Sequence, residues 1–428
     1  MSGSGIGPDS SAGGKPRVDG AGPASPIEGA GSGGRRPPLY TRTFGGILLT
    51  NLLAFGQWFS LQPVIPLLVL ELGGDATMAG LAFAFYSIPS VISRPFIGRL
   101  VDQLGTRIML IAGTVGMAVV APVYLFPSIL LLLAVRVVHG IFWSATMTAA
   151  PTLMARLAPA TRRGEAASIF DLMPSLAQTV APAIGVLVLA TASWTGVFTL
   201  ATILPLAACG LVLLTVPADR PAARPTTGSS LPLLEPSALL PMAIAMLFML
   251  ASPLFVVYPP ILAREQGIPV TDLAIYYPVY GTFMVGSRVV IGRFLDRLPR
   301  LRIFVVAGLL AIVALGITIG AHSIGPLAAG AAMYATAVGI AVPAMTATVI
   351  DRAPPGRVGS AMGTYTLGYQ FASGFGAAIW GFVIGQAGFP PAYVAAAVVQ
   401  VALIVMVIQA RSRLQRPLPA PAAGPDAP

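Results

Sequence analysis

Apolar runs of roughly twenty residues recur along this chain from Phe44 to Ile408. Each run is long enough to cross the hydrocarbon core of a bilayer as an α-helix. About twelve runs can be counted, and their hydrophobicity is continuous rather than alternating. Hydrophobic residues make up 56% of the chain and charged residues 9%. The sequence therefore predicts an all-α membrane protein with about 12 transmembrane helices. The predicted spans are 44–70, 76–98, 108–126, 128–156, 166–190, 194–216, 237–263, 273–294, 303–321, 324–350, 358–384 and 389–410.

The basic residues lie almost entirely on one side of these spans. The chain has 25 Lys and Arg against 15 Asp and Glu. Of the basic residues outside the spans, only Arg264 falls in an odd-numbered loop; the others lie in the N-terminal arm, the even-numbered loops and the C-terminal tail. This asymmetry predicts that both termini are cytoplasmic. The net charge of +10 is therefore explained by membrane orientation and by contact with anionic lipid headgroups, and it does not indicate nucleic-acid binding. The single lysine, Lys15, suggests a GC-rich bacterial genome and hence the cell (inner) membrane.

The chain also contains a long internal repeat. Residues 93–104 and 287–298, 194 positions apart, are identical at seven of twelve positions. Duplicated halves are typical of secondary transporters, whose binding site lies between the halves. Six spans in each half would relate the two by an axis along the membrane normal. We predict a disordered arm (1–39), a first half (40–216), a linker (217–236), a second half (237–410) and a tail (411–428).

Residues 98–107 follow the pattern Gly-x-x-x-Asp-x-x-Gly-x-Arg. They resemble the hallmark loop of the major facilitator superfamily, and the resemblance extends over residues 40–410. The weaker second copy keeps its first glycine, arginine and aspartate but lacks the later glycine and arginine. In the family this loop latches the two halves in the outward-facing state, so the resemblance implies the same role here. The predicted latch residues are Gly98, Arg99, Asp102, Gly105, Arg107, Gly292, Arg293 and Asp296.

Physical chemistry allows that role. A carboxylate such as Asp102 can accept charge-assisted hydrogen bonds from arginine, or face the positive N-terminus of another helix. The alternative is a solvated turn that merely obeys the positive-inside rule, which would explain the arginines but not the repeated glycine and aspartate.

The fourth predicted span carries a buried cation. Arg136, His139 and Trp143 fall on one helix face. A guanidinium within the membrane needs a partner or a wet cavity. The segment resembles the family's fourth-helix motif Arg-x-x-Gln/His-Gly, whose arginine is linked to proton coupling in drug/proton antiporters. Two interpretations stay open: coupling or substrate contact, and a structural clamp on backbone carbonyls.

The fifth predicted span carries Asp171, the only acid well inside a predicted span. It shares a helix face with Ser175 and Gln178. An intramembrane carboxylate can carry a proton or contact substrate. It could instead cap a neighbouring arginine such as Arg94. Residues 181–185 resemble the antiporter motif Gly-Pro-x-x-Gly with alanine at the first position, although a proline kink with small packing residues fits equally well.

Four further side chains are candidates for a cavity wall. They are Gln57 in the first span, Tyr280 in the eighth, and Tyr365 and Tyr369 on one face of the eleventh. A cavity with aromatic rings and few charges would favour neutral or weakly polar cargo.

These features predict an exporter of a small amphipathic molecule or metabolite, working by proton antiport with alternating access. The alternatives are a proton-coupled importer of a sugar or organic acid, and a non-transporting membrane sensor. An enzyme is not expected, because no nucleophile–base pair or cofactor loop is evident. With one cysteine and two histidines the sequence indicates no metal or cofactor. The expected partners are a small-molecule substrate, protons and the lipid bilayer, with no nucleic acid and a monomeric state.

Overall fold

The structure is a computed structural model that describes residues 1, 3, 39–218, 234–292, 294, 298–354 and 357–412. These residues form helices and short connections, with no strand among them. The predicted all-α class is confirmed. Most of the predicted arm, linker and tail lies outside the described residues, as do two predicted latch residues, Arg293 and Asp296.

The first half contains five long helical elements. These are α1 (Arg42–Glu71), α2 (Ala76–Leu104), α3 (Thr106–Val120), α4 (Ile129–Leu157) and α5 (Arg163–Thr215). Side-chain oxygens of Thr41, Asp75 and Ser128 accept hydrogen bonds from the first turns of α1, α2 and α4. Such caps satisfy amide groups that have no partner inside the helix, and they explain where these helices begin.

Helix α5 has 53 residues, far more than one crossing needs. Ser193 interrupts its helical geometry with a φ of 62°, a rare conformation for a residue with a side chain. Ser193 therefore divides α5 into two spans, in agreement with the predicted break between residues 190 and 194.

The second half contains eight α-helices among its described residues. They are α6 (Leu239–Met249), α7 (Ser252–Val256), α8 (Pro259–Glu265), α9 (Leu273–Gly292), α10 (Arg300–Ile319), α11 (Ile324–Arg352), α12 (Val358–Ala387) and α13 (Phe389–Gln409). The seventh span, predicted as one run over 237–263, is broken into α6, α7 and α8. Pro253, Pro259 and Pro260 stand at the starts of the last two pieces, where a residue without an N–H group interrupts the helical ladder.

Ten helices of the described chain are long and apolar enough to cross a membrane. This set counts α5 once and leaves out α9, which is 20 residues long but carries several tyrosines and Arg288. With α5 divided at Ser193 and α9 included, the described helices match the twelve predicted spans.

The two halves pack tightly at one end of the bundle. We call the end where α1 begins and α5 ends the terminal end, and the opposite end the loop end. Near the loop end, Thr77 Oγ1 of α2 donates a hydrogen bond to the carbonyl of Gly381 in α12, at 3.3 Å. A Cβ atom at Gly80 would overlap the carbonyl oxygen of Ala377. Such close backbone approach requires small residues. The α2–α12 contact therefore closes the bundle at its loop end.

A second contact between the halves has the same character. A Cβ atom at Gly281 of α9 would overlap Thr179 of α5. Towards the terminal end the pattern changes: a Cβ atom at Gly98 of α2 or Gly363 of α12 would meet nothing within 4 Å. The described close contacts between the halves therefore lie towards the loop end.

Candidate functional site

A central cavity of about 550 Å³ lies between the two halves. Helices α1, α2, α4 and α5 of the first half line it, together with α7, α9 and α12 of the second. Its size is within the range of small-molecule binding sites. Because the loop end is closed, the cavity communicates with the terminal end.

Aromatic rings form the wall on the side of the first half. The aromatic wall consists of Phe55, Trp58, Phe59, Phe83, Tyr86 and Trp143. Trp58 stacks on Tyr86 with ring centroids 4.1 Å apart, and Trp143 stacks on Trp58 at 5.6 Å. Phe55 meets Trp143 edge-on at 4.9 Å. These are favourable ring geometries, and they pack the rings of the aromatic wall against one another.

Arg136 lies directly behind this wall rather than in the cavity. It is 1% exposed, and its Nε donates to the carbonyl of Ala82 at 3.0 Å. Its guanidinium carbon lies 4.5 Å from the ring centroid of Tyr86, 5.2 Å from Phe83 and 5.6 Å from Trp58. Ring faces attract a desolvated cation. These contacts join Arg136 to α2 and to three rings of the aromatic wall, while its Nη1 and Nη2 atoms have no hydrogen-bond partner among the described residues.

His139 belongs to a buried polar network next to Arg136. Its Nε2 lies 3.4 Å from Gln57 Oε1, and its Nδ1 lies 3.0 Å from the Tyr124 hydroxyl. Because an amide oxygen only accepts, the proton belongs on Nε2, and Nδ1 accepts from Tyr124. Gln57 Nε2 in turn donates to the carbonyl of Ala201 at 2.7 Å. The network ties α1 to α4 and to the second part of α5.

Three charged side chains line the cavity nearer the terminal end. Arg94 of α2 and Asp171 of α5 come from the first half, and Arg288 of α9 from the second. The Nε atoms of both arginines are buried and have no hydrogen-bond partner among the described residues. Among the described residues, no ion pair within 4 Å joins Asp171 to either arginine. We call these three residues the charged layer.

The charged layer and the aromatic wall lie at different depths. Arg94 is ten residues before the end of α2, and Asp171 is eight residues after the start of α5. At 1.5 Å per residue they lie about 12–15 Å from the terminal end. Trp58, sixteen residues into α1, lies about 24 Å from that end. The cavity therefore presents charges near its mouth and rings at its base.

The predicted site residues separate into three groups. Trp143, Asp171, Gln178 and Tyr369 line the cavity. Arg136 lies behind the aromatic wall, and His139 and Gln57 belong to the buried polar network next to it. Tyr280 and Tyr365 are also buried but are not among the lining residues. Gln57, expected to face cargo, instead belongs to the His139 network, because its amide has partners on three sides.

Sequence reasoning did not assign cavity roles to Arg288, Trp58 or Tyr86. For Arg288 a signal existed, because it is the repeat partner of Arg94. For the two rings no local signal distinguishes a cavity aromatic from a core aromatic.

The hallmark loop lies at the terminal end. Asp102 Oδ1 is 3.9 Å from Arg156 Nη2 at the end of α4, and the Asp102 side chain is 62% exposed. Gly105 connects α2 to α3 with a φ of 94°, which a residue with a side chain rarely adopts. Arg107 Nη2 donates to the carbonyl of Leu213 at 3.2 Å. The described contacts of this loop are thus made within the first half.

Glu165, at the start of α5, contacts two other groups at this end. Glu165 Oε1 lies 2.7 Å from Arg162 Nη2 and accepts a hydrogen bond from the Tyr40 hydroxyl at 3.2 Å. Hydrogen bonding to this carboxylate raises the pKa of the Arg162 guanidinium.

The fold and the cavity define a multi-pass membrane transporter. The family model of the Major Facilitator Superfamily matches residues 47–325 and 242–428. The chain belongs to this superfamily, whose members are transporters and not enzymes.

The chain is similar to the MFS-type transporter YhhS of Escherichia coli O157:H7, with 27% identity over 370 residues that cover 80% of this chain and 87% of YhhS. Among solved structures, the nucleoside transporter NupG has a TM-score of 0.69 at 15% identity, and the match covers 86% of this chain and 99% of that one. A D-xylose–proton symporter has a TM-score of 0.70 at 15% identity, with 86% and 96% covered. At these identities the two structures show the fold alone.

Proposed function

We propose that this transporter exports a small amphipathic molecule by proton antiport with alternating access. The observation that supports it is the central cavity. It lies between the halves, is closed at the loop end, and contains Asp171 as the only carboxylate among its described lining residues. An ionisable residue inside a membrane protein marks a transport pathway or proton relay by default.

Asp171 is the proposed site of proton exchange. The other charged or titratable groups that line the same cavity are Arg94, Arg288, Tyr86 and Tyr369. Helix α1 contributes aromatic rings and Gln62 there, but no charge. A carboxylate that binds either a proton or the cationic part of a substrate makes the two ligands compete. Proton antiport requires that a proton and the substrate compete for one site, and that this site opens alternately to the two sides of the membrane.

The observed state suits export if the terminal end is cytoplasmic, as the distribution of basic residues predicts. The cavity would then receive substrate from the cytoplasm, with the loop end closed. In the other state the α2–α12 contact would open, and the hallmark loop would join the halves at the terminal end. Arg136 would hold the aromatic wall in place in both states, acting as a positioning residue.

The first test compares matched bacterial strains with and without the gene, using untargeted mass spectrometry of medium and cell extract. We expect a compound that is depleted inside and enriched outside on expression. The reverse pattern would replace export by import of a sugar or organic acid. No difference in any compound would favour the non-transporting sensor.

The second test addresses coupling. With the compound identified, the purified protein in proteoliposomes should move it against an imposed proton gradient. Asp171→Asn should abolish the response to the gradient while leaving the protein folded. The matched control is Asp272→Asn, since Asp272 lies near the loop end and outside the cavity. Gradient-driven transport by Asp171→Asn at the rate of the control would refute the role of Asp171.

A further inference from the structure

We infer that the substrate is an amphipathic zwitterion: a carboxylate held by Arg94 and Arg288, an ammonium group held by Asp171, and an apolar ring against the aromatic wall. This inference rests on the proposed function only in taking the central cavity as the transport site.

The first argument comes from the two arginines. They occupy equivalent positions of the internal repeat, one in each half, and both line the cavity. Both residues are half-buried, their Nε atoms have no hydrogen-bond partner among the described residues, and no described ion pair engages either guanidinium. A guanidinium presents a planar fork of donors that matches a carboxylate. Two such forks facing one cavity are suited to a single carboxylate between the halves.

The second argument is the charge inventory. The cavity lining carries two arginines and one aspartate. A simple anion would satisfy the arginines but would lie beside the Asp171 carboxylate, where like charges repel. A simple amine would satisfy Asp171 but leave both arginines without a partner. A molecule with one carboxylate and one ammonium group supplies a partner for both signs.

The third argument is the depth profile. The aromatic wall lies about 10 Å further from the terminal end than the charged layer. This separation suits a molecule with its charged groups at one end and a ring at the other. Trp58, Tyr86 and Trp143 are among the lining residues at this depth, and aromatic rings prefer offset-stacked or edge-on contacts with other rings. A volume of about 550 Å³ accommodates an aromatic amino acid or a short peptide bearing one.

Equilibrium binding to the purified protein in lipid nanodiscs tests this inference without any gradient. The probes are aromatic amino acids and aromatic dipeptides, each with an analogue that lacks the amino group and one that lacks the carboxylate. We expect at least one zwitterion to bind about tenfold more tightly than either analogue, because each analogue lacks one set of charge-assisted hydrogen bonds; tenfold corresponds to about 1.4 kcal/mol. If every zwitterion binds no better than its analogues, the inference is overturned.

Variants separate the role of the two arginines from that of Asp171. Arg94→Gln and Arg288→Gln should weaken the zwitterion and the carboxylate-only analogue about tenfold and leave the amine unchanged. Asp171→Asn should weaken the zwitterion and the amine only. The matched control is Arg42→Gln, since Arg42 is exposed at the start of α1. Equal losses for all three probes would overturn the assignment. If a cavity variant does not fold, the comparison of zwitterions with their analogues on the wild-type protein still tests the inference.

The two proposals fail differently. A protein that binds zwitterions selectively but moves no protons would retain this inference and lose antiport. A protein that exports a neutral compound in exchange for protons, with its binding insensitive to Arg94 and Arg288, would keep the proposed function and lose this inference.

Discussion

Arg94 and Arg288 stand 194 residues apart at equivalent positions of the repeated segment, and both line the cavity between the halves. In a fold with two similar halves, a residue that faces the interface in one half has a counterpart that faces it in the other. The internal repeat thus places two guanidinium groups from opposite halves in one site. A substrate that binds both would contact both moving parts of the transporter.

Arg136→Gln should destabilise the protein by about 2 kcal/mol, because a desolvated guanidinium over aromatic faces contributes on that order. Trp58 should report the change, since its ring lies 5.6 Å from the guanidinium carbon. The measurements are thermal unfolding and intrinsic tryptophan fluorescence of the purified protein. If Arg136→Gln unfolds at the same temperature as Arg42→Gln, the clamp assigned to Arg136 is wrong.

Gly381→Val should weaken the closure at the loop end and shift the protein towards a state open on that side. A Cβ atom at Gly381 would lie 2.5 Å from the carbonyl oxygen of Ala76, so helices α2 and α12 would have to separate. Spin labels at Glu71→Cys and Thr271→Cys, one in each half at the loop end, measure the change by double electron–electron resonance.

The control for that experiment is Gly363→Val, on the same helix but with nothing within 4 Å of the added atom. We expect longer label distances with Gly381→Val and an unchanged distribution with Gly363→Val. Identical distributions in both variants would show that the α2–α12 contact does not hold the loop end closed.

Asp102→Ala should slow transport without preventing substrate binding, because the hallmark loop is proposed to stabilise the alternative conformation rather than the site. Turnover and substrate affinity in proteoliposomes measure the two effects separately. Unchanged turnover would remove the latch role of Asp102 and leave its contact with Arg156, at 3.9 Å, as a surface ion pair of little energetic weight.

Orientation in the membrane can be tested with single cysteines. Cys209, the only cysteine of the chain, is buried, so Cys209→Ala provides a background for labelling. Glu71→Cys at the loop end should react with a membrane-impermeant maleimide added to intact cells, and Arg42→Cys at the terminal end should not. The opposite pattern would place the terminal end outside and would contradict the direction proposed for transport.

Much of the architecture is predictable from local sequence. Apolar runs determine the spans because backbone groups in a bilayer must be satisfied within a helix. The break in α5 at Ser193 is predictable within a few residues, since 53 residues exceed one crossing. The division of the seventh span into α6, α7 and α8 is not predictable from the sequence, although prolines stand at the breaks. Proline is tolerated in membrane helices when neighbouring helices supply the missing contacts, and those contacts are not visible in sequence.

For the candidate site, the amino-acid pattern alone identifies which side chains are unusual: Asp171 and Arg136 stand out because charges are rare in apolar spans. It does not identify which of them faces the cavity. Asp171 lines it, whereas Arg136 lies behind the aromatic wall. The packing of the helices fixes this difference, because helix periodicity specifies a residue's face but not what the face meets. That depends on the rotation of each helix against its neighbours and on which end of the two halves is closed.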